Sequence, residues 1–136
     1  MRQNEFRLLP DVTPETEHFW HGGAHGELRI LRCSSCRTFI HPPAPVCPEC
    51  LGRDLAPEAV SGRGVVATFT VNHQQWNPTV PVPYVIALVE IDEQPSVRLM
   101  TNIVGCEPDD VRIGMRVKVR FAEYEDVYLP LFEPES

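Results

Sequence analysis

Alternation of apolar and polar residues is the strongest signal in this chain. Met115, Val117, Val119 and Phe121 alternate with Arg116, Lys118 and Arg120, so Met115–Phe121 is expected as a strand with its apolar face inward and its cations in water. Gly64–Asn72 alternates Val65, Ala67, Phe69 and Val71 on one face against Val66, Thr68 and Thr70 on the other. Tyr84–Ile91 is almost wholly apolar, as in a strand covered on both sides. Ser96–Val104 and Val127–Phe132 complete a set of five strands. Asn77–Pro83 holds three prolines and reads as a loop, Asp92–Pro95 as a turn, and Glu107-Pro108-Asp109-Asp110 as a short helical turn ending at Gly114. Five short strands with one helical element among them predict a small closed barrel of the oligonucleotide/oligosaccharide-binding (OB) type.

Upstream of the barrel the pattern changes. Met1–Val12 is expected as an extended or loosely ordered arm. Thr13-Pro14-Glu15 has the form of a helix start: a hydroxyl cap, proline at the first helical position and an acid in the first turn. That helix carries Phe19 and Trp20 and stops near Gly22-Gly23, and a second short turn leads into a strand at Glu27–Arg32. Cys33–Cys50 has no helical periodicity and forms a compact insert, followed by a linker at Asp54–Ser61. The chain therefore divides into an N-terminal arm and helix (1–27), a metal ribbon (28–54) and a barrel with its C-terminal strand (55–136). The class is mainly β.

The 136 residues carry a formal net charge of −7. Repulsion from phosphates at that charge argues against a general nucleic-acid binder. No apolar run approaches the length needed to span a bilayer or resembles a signal peptide, so the expected location is the cytoplasm.

Four of the five cysteines form two tight pairs, Cys33-Ser-Ser-Cys36 and Cys47-Pro-Glu-Cys50, with ten residues between them. Two intervening residues let a turn aim both thiolates at one ion, and two such knuckles supply a closed tetrahedral site. In a reducing compartment paired cysteines of this kind bind metal more often than they oxidise. Two local disulfides, or four unrelated thiols, are the plain alternative. Iron is the sharper competitor, because Cys47–Gly52 is similar to a rubredoxin knuckle. Rubredoxins, however, separate their knuckles more widely and pack aromatics around them, which favours structural Zn2+. Gly52 is expected to supply the positive φ of the second knuckle. His41, between the knuckles, reads as a neighbour of the ion.

No serine–histidine–aspartate order, phosphate-cradling glycine loop or histidine–carboxylate motif is evident. His18, His21 and His25 cluster near glycines, where surface histidines outnumber metal sites. His73 ends a strand beside Trp76 and could touch a ligand, though most strand-end histidines are simply exposed. Cys106 stands before the acidic Glu107–Asp110 stretch, which raises its pKa and dulls its nucleophilicity. Catalytic residues: none.

In its order of pieces the chain resembles a zinc-ribbon plus OB-fold family long catalogued as a domain of unknown function and linked to acyl-CoA metabolism. Glu17-His-Phe-Trp20, Leu28–Cys33 through Pro43, Cys47–Cys50, Gly62–Val71 with His73, and Pro83–Ile91 carry the likeness. Thr101–Val104, Ile113–Met115 and Leu129–Pro134 continue it over nearly the whole chain. Arg37 departs from the pattern, which often has glycine there. The resemblance implies zinc on Cys33, Cys36, Cys47 and Cys50. It also implies a non-catalytic accessory subunit of a thiolase-superfamily enzyme, a thiolase or retro-aldolase, acting on acyl-CoA thioesters in sterol side-chain or lipid degradation. The expected partner is thus a thiolase-like or aldolase subunit in a hetero-oligomer. A stand-alone acyl-CoA-binding protein, with Phe19, Trp20, Phe69 and Trp76 lining an apolar channel, is the second reading. A single-stranded nucleic-acid module is the third. Candidate ligand or partner contacts are Phe19, Trp20, Phe69, His73 and Trp76.

Overall fold

The computed structural model describes residues 9–78 and 80–135. Of the expected N-terminal arm, residues 1–8 lie outside the described residues, and 9–12 have no regular secondary structure. Helix α1 spans Glu17–His21, and a 3-10 turn at Gly22–His25 follows it. The helix starts later than the Thr13 signal suggested. Thr13 and Thr16 instead close a turn on each other: the Thr13 N–H donates to Thr16 Oγ1 (3.0 Å), and the Thr13 carbonyl accepts from the N–H groups of Thr16 and Glu17. Gly23 seats this segment on the barrel, since a Cβ there would collide with Tyr128 Cβ and the Phe121 ring.

Strands β1 (Leu28–Cys33), β2 (Phe39–Ile40) and β3 (Leu55–Val60) form an antiparallel sheet with β1 in the centre. The stretch 54–61, expected as a linker, is therefore mostly strand. Six consecutive β3 residues pair with β1, from Leu28↔Val60 to Cys33↔Leu55. Its composition gave no strand signal because β3 is a short strand with several exposed side chains, held by backbone pairing and by an Arg32–Glu58 ion pair (2.7 Å).

Strands β4 (Arg63–Asn72), β5 (Tyr84–Ile91), β6 (Gln94–Ile103), β7 (Arg116–Tyr124) and β8 (Val127–Pro134) close a barrel in the order β4-β5-β6-β8-β7. The predicted alternation of β7 is observed, with Val117 buried and Arg116, Lys118 and Arg120 exposed. In β4 a bulge between Val66 and Thr68 shifts the register. Val66 joins the core before it, and Phe69 and Val71 pack against that core after it, so no single alternating set faces inward along the strand. Val85, Ala87, Val89, Ile91, Val97, Leu99, Val117 and Phe132 fill the interior. The weakest seam is β6–β8, which pair in parallel at one register position, Ile103↔Phe132. There Thr101, the one buried polar side chain among the described residues, donates its hydroxyl to the Pro130 carbonyl (2.8 Å).

Candidate metal centre

Both cysteine pairs sit on turns of the same construction. The Cys33 carbonyl accepts from the Arg37 N–H (2.9 Å), and the Cys47 carbonyl from the Leu51 N–H (2.8 Å). The Cys33 and Cys47 N–H groups donate to the carbonyls of Thr38 and Gly52, each at 2.9 Å. In each knuckle the residue after the second cysteine takes the left-handed conformation, Arg37 at φ 68° and Leu51 at φ 64°. The expectation that Gly52 would carry the positive φ is thus corrected, since the turn closes one residue earlier. Gly52 is small for another reason: a Cβ there would stand 3.2 Å from Cys50 Sγ and 3.8 Å from Cys33 Sγ.

The four sulfurs lie within 4.8 Å of one another, with Cys33–Cys50 and Cys36–Cys47 at 3.6 Å. A bonded pair would be about 2.05 Å apart, so all four are free thiols. Thiolates about 2.3 Å from a tetrahedral zinc are separated by roughly 3.8 Å, so the spacing suits one ion. Cys33 and Cys47 are buried, and Cys36 and Cys50 lie at the surface. Ile40, Leu31, Ala44 and Leu55 pack around the buried pair.

The electrostatics fit a cation as well. A hydrogen bond between Cys36 Sγ and the Thr38 hydroxyl, 3.2 Å apart, and one from the Thr38 N–H lower the Cys36 thiol to about 6. The Cys36 N–H lowers Cys33 against the opposing effect of burial. Cys50 receives the Gly52 N–H, but the crowding of Cys33 and Cys36, with burial, outweighs it and pushes this thiol up to about 12. Without a cation, the last thiol cannot ionise near neutral pH. A divalent ion removes that conflict.

Around this cluster the chain places several sequence-singled residues and scatters others. His41 stands outside the sulfur set, its ring tilted against Phe19 with centroids 4.8 Å apart. Burial, with His18 nearby, depresses its pKa to about 4. His18, His21 and His25 share a polar cleft of about 480 Å³ with Glu17 and Arg29. They form no metal set, because among the described residues the cysteines are the only group of three or more such donors that converges. Cys106 is half-buried, and its thiol is raised by burial first and by Asp110 and Glu107 second.

Phe19 and Trp20 meet edge to face at 4.8 Å and border a small groove of about 110 Å³ of mixed polarity, with Leu99, Met100 and Leu131 beside Thr101 and Asn102. Phe69 instead packs on the barrel core. His73 and Trp76 are exposed on the loop after β4, Trp76 at 78%. Sequence reasoning passed over Gln94, whose side-chain amide accepts from the Phe39 N–H and donates to the Phe39 carbonyl, both at 2.9 Å. A glutamine in a predicted hairpin turn gave no sign that it would extend a sheet from another part of the chain.

Residues 20–56 match the rubredoxin-like zinc ribbon domain of ChsH2, and residues 57–122 match its C-terminal OB-fold domain. The chain is 36% identical over 129 residues to the probable enoyl-CoA hydratase alpha subunit of Thermomonospora curvata, covering 94% of this chain and 40% of the relative. It is likewise 36% identical over 129 residues to the 3-oxo-4,17-pregnadiene-20-carboxyl-CoA hydratase alpha subunit of Mycobacterium tuberculosis, covering 95% of this chain and again 40% of the relative. This chain thus spans about two fifths of the length of those two relatives. A DUF35 domain-containing scaffold protein of Methanocaldococcus jannaschii is 36% identical over 98 residues, 71% of this chain and 68% of the relative. Among solved structures, the Ltp2–ChsH2(DUF35) aldolase superposes with a TM-score of 0.84 at 36% identity, covering 93% of this chain and 98% of that one. A DUF35 protein from Sulfolobus solfataricus, at 17% identity and a TM-score of 0.65, shares the fold. With the ribbon, the barrel and these relatives in agreement, the chain belongs to the DUF35 family of zinc-ribbon and OB-fold proteins.

Proposed function

We propose that this chain is a non-catalytic accessory subunit of a thiolase-superfamily enzyme, a thiolase or retro-aldolase, that acts on acyl-CoA thioesters in sterol side-chain or lipid degradation. One observation carries this reading: the match to the Ltp2–ChsH2(DUF35) aldolase covers 98% of that chain at a TM-score of 0.84. Relatives named as scaffold proteins, and as alpha subunits of hydratases acting on CoA esters, point the same way. Cys33, Cys36, Cys47 and Cys50 bind one structural zinc in this reading. Four protein thiolates fill its coordination sphere, so the ion holds the fold and leaves no position for substrate. Cysteines kept reduced for metal suit the cytoplasm. No described helix is long and apolar enough to cross a membrane.

The thiolase-like partner meets exposed apolar side chains of this chain. Trp76 and Met100 are 78% and 77% exposed, and Trp20 is half-buried beside Met100 at the groove. Aromatic anchors of this kind dominate binding energy at interfaces. A stand-alone acyl-CoA binder with Phe19, Trp20, Phe69 and Trp76 lining one channel is disfavoured, because Phe69 packs against the barrel core and the groove at Phe19 and Trp20, about 110 Å³, includes neither Phe69 nor Trp76. The deciding experiment is co-expression with a thiolase-like protein encoded beside this chain, followed by size-exclusion chromatography. A stable complex is expected, weakened by Trp20→Ala or Trp76→Ala while zinc content and circular dichroism hold. Acyl-CoA turnover by the isolated chain, or no co-elution under native conditions, overturns the reading.

A further inference from the structure

Three consecutive residues of the ribbon make three different contacts. Phe39 enters the barrel core. Ile40 packs on Cys33 and Cys47. His41 lies against Phe19 of α1. We infer that metal binding at the four cysteines sets the position of α1 on the barrel through Phe39-Ile40-His41, so that withdrawing the ion releases α1 while the barrel stays folded. This inference rests on the reading of the cysteines as zinc ligands.

The parts differ in what holds them. Helix α1 is five residues long, and its N-terminus has no side-chain cap. A helix so short has no stability of its own and depends on its contacts. One side of it rests on the barrel at the Phe19–Trp20 groove, and the other rests on His41. Apart from Leu28, Ile30 and Phe39, which join the core shared with the barrel, the ribbon beneath His41 buries only Cys33, Ile40 and Cys47, with Leu31, Ala44 and Leu55 beside them. A cluster of that size cannot offset the entropy of ordering the knuckles, which are therefore held by the ion. Strand β2 has two residues, and besides β1 its anchor is the side chain of Gln94. The barrel has five strands closed on each other and a continuous core from Val66 to Phe132, which Phe19, Leu28, Ile30 and Phe39 join from the N-terminal elements and from which Cys33, Cys36, Cys47 and Cys50 are absent.

The test uses the full chain with Trp76→Phe, which leaves Trp20 as its sole indole. Zinc is measured in the sample, withdrawn with a chelator and added back. Each state is followed by tryptophan emission and by amide hydrogen exchange. On withdrawal, Trp20 emission should move to the solvent-exposed wavelength, and the amides of 17–25 and 39–40 should lose at least a hundredfold of protection. The amides of Val85, Val89 and Val117 should keep theirs, and added zinc should restore the first state. With zinc bound, Gln94→Ala should raise exchange at Phe39 about tenfold and leave the barrel amides unchanged. Loss of barrel protection in step with α1, or Trp20 emission indifferent to the ion, overturns the inference and leaves the zinc site standing. A preparation with no metal in which α1 is already protected overturns both.

Discussion

His41 should make the protein sensitive to mild acid. Its ring is largely enclosed between α1 and the ribbon, against Phe19, and its Nδ1 is buried without a hydrogen-bond partner among the described residues. Burial, reinforced by His18, lowers its pKa from 6.5 to about 4. For a base lowered on folding, the unfolded chain takes up the proton first. The contribution to stability is therefore complete above the unfolded value of 6.5 and is lost as pH falls from there toward 4. Integrating that difference gives a loss of about 1 kcal/mol between pH 7.5 and pH 5.5. His18, also lowered by burial first and Arg29 second, adds a loss of the same sign, and protonation of the cysteines adds another, so the wild type alone is not diagnostic. His41→Phe keeps a ring on Phe19 and removes the titration. Urea unfolding of both proteins at the two pH values cancels the shared losses. The wild type should lose about 1 kcal/mol more than the variant. Parallel losses within about 0.3 kcal/mol would show that His41 is not held neutral at this junction.

The purified protein should carry close to one zinc per chain by elemental analysis, and Cys47→Ser should abolish it and lower the melting temperature; iron in place of zinc would refute the assignment. Leu51→Gly should stabilise the protein by about 1 kcal/mol in denaturant unfolding, because it relieves a left-handed backbone at φ 64° and gives up a side chain that is 73% exposed. Gly23→Ala should destabilise by about 1–3 kcal/mol, since the new methyl meets Tyr128 Cβ and the Phe121 ring; an unchanged midpoint would mean that the 3-10 turn is not seated on the barrel as described.

The local periods of the chain determined much of this protein. Alternation in 115–121, the apolar run of Tyr84–Ile91 and the tight cysteine pairs are properties of a few neighbouring residues, and all lie in the elements they suggested. So does the β-rich class, and with it the barrel. What tertiary structure decided is pairing between distant segments. Strand β3 exists because β1 offers it an edge, not because 55–60 has a strand pattern. The bulge in β4 breaks an alternation that looks regular in sequence, because the strand must bend to pair with both β5 and β7. Gln94 and Phe39 lie 55 positions apart and hydrogen-bond as if they belonged to one sheet. Which knuckle residue takes the left-handed turn was equally out of reach. Glycine is the usual occupant of that conformation, yet Gly52 is needed for closeness to sulfur, and Leu51 and Arg37 bear the strain. Sequence records what each residue prefers. The fold determines which preference yields when two distant segments must meet.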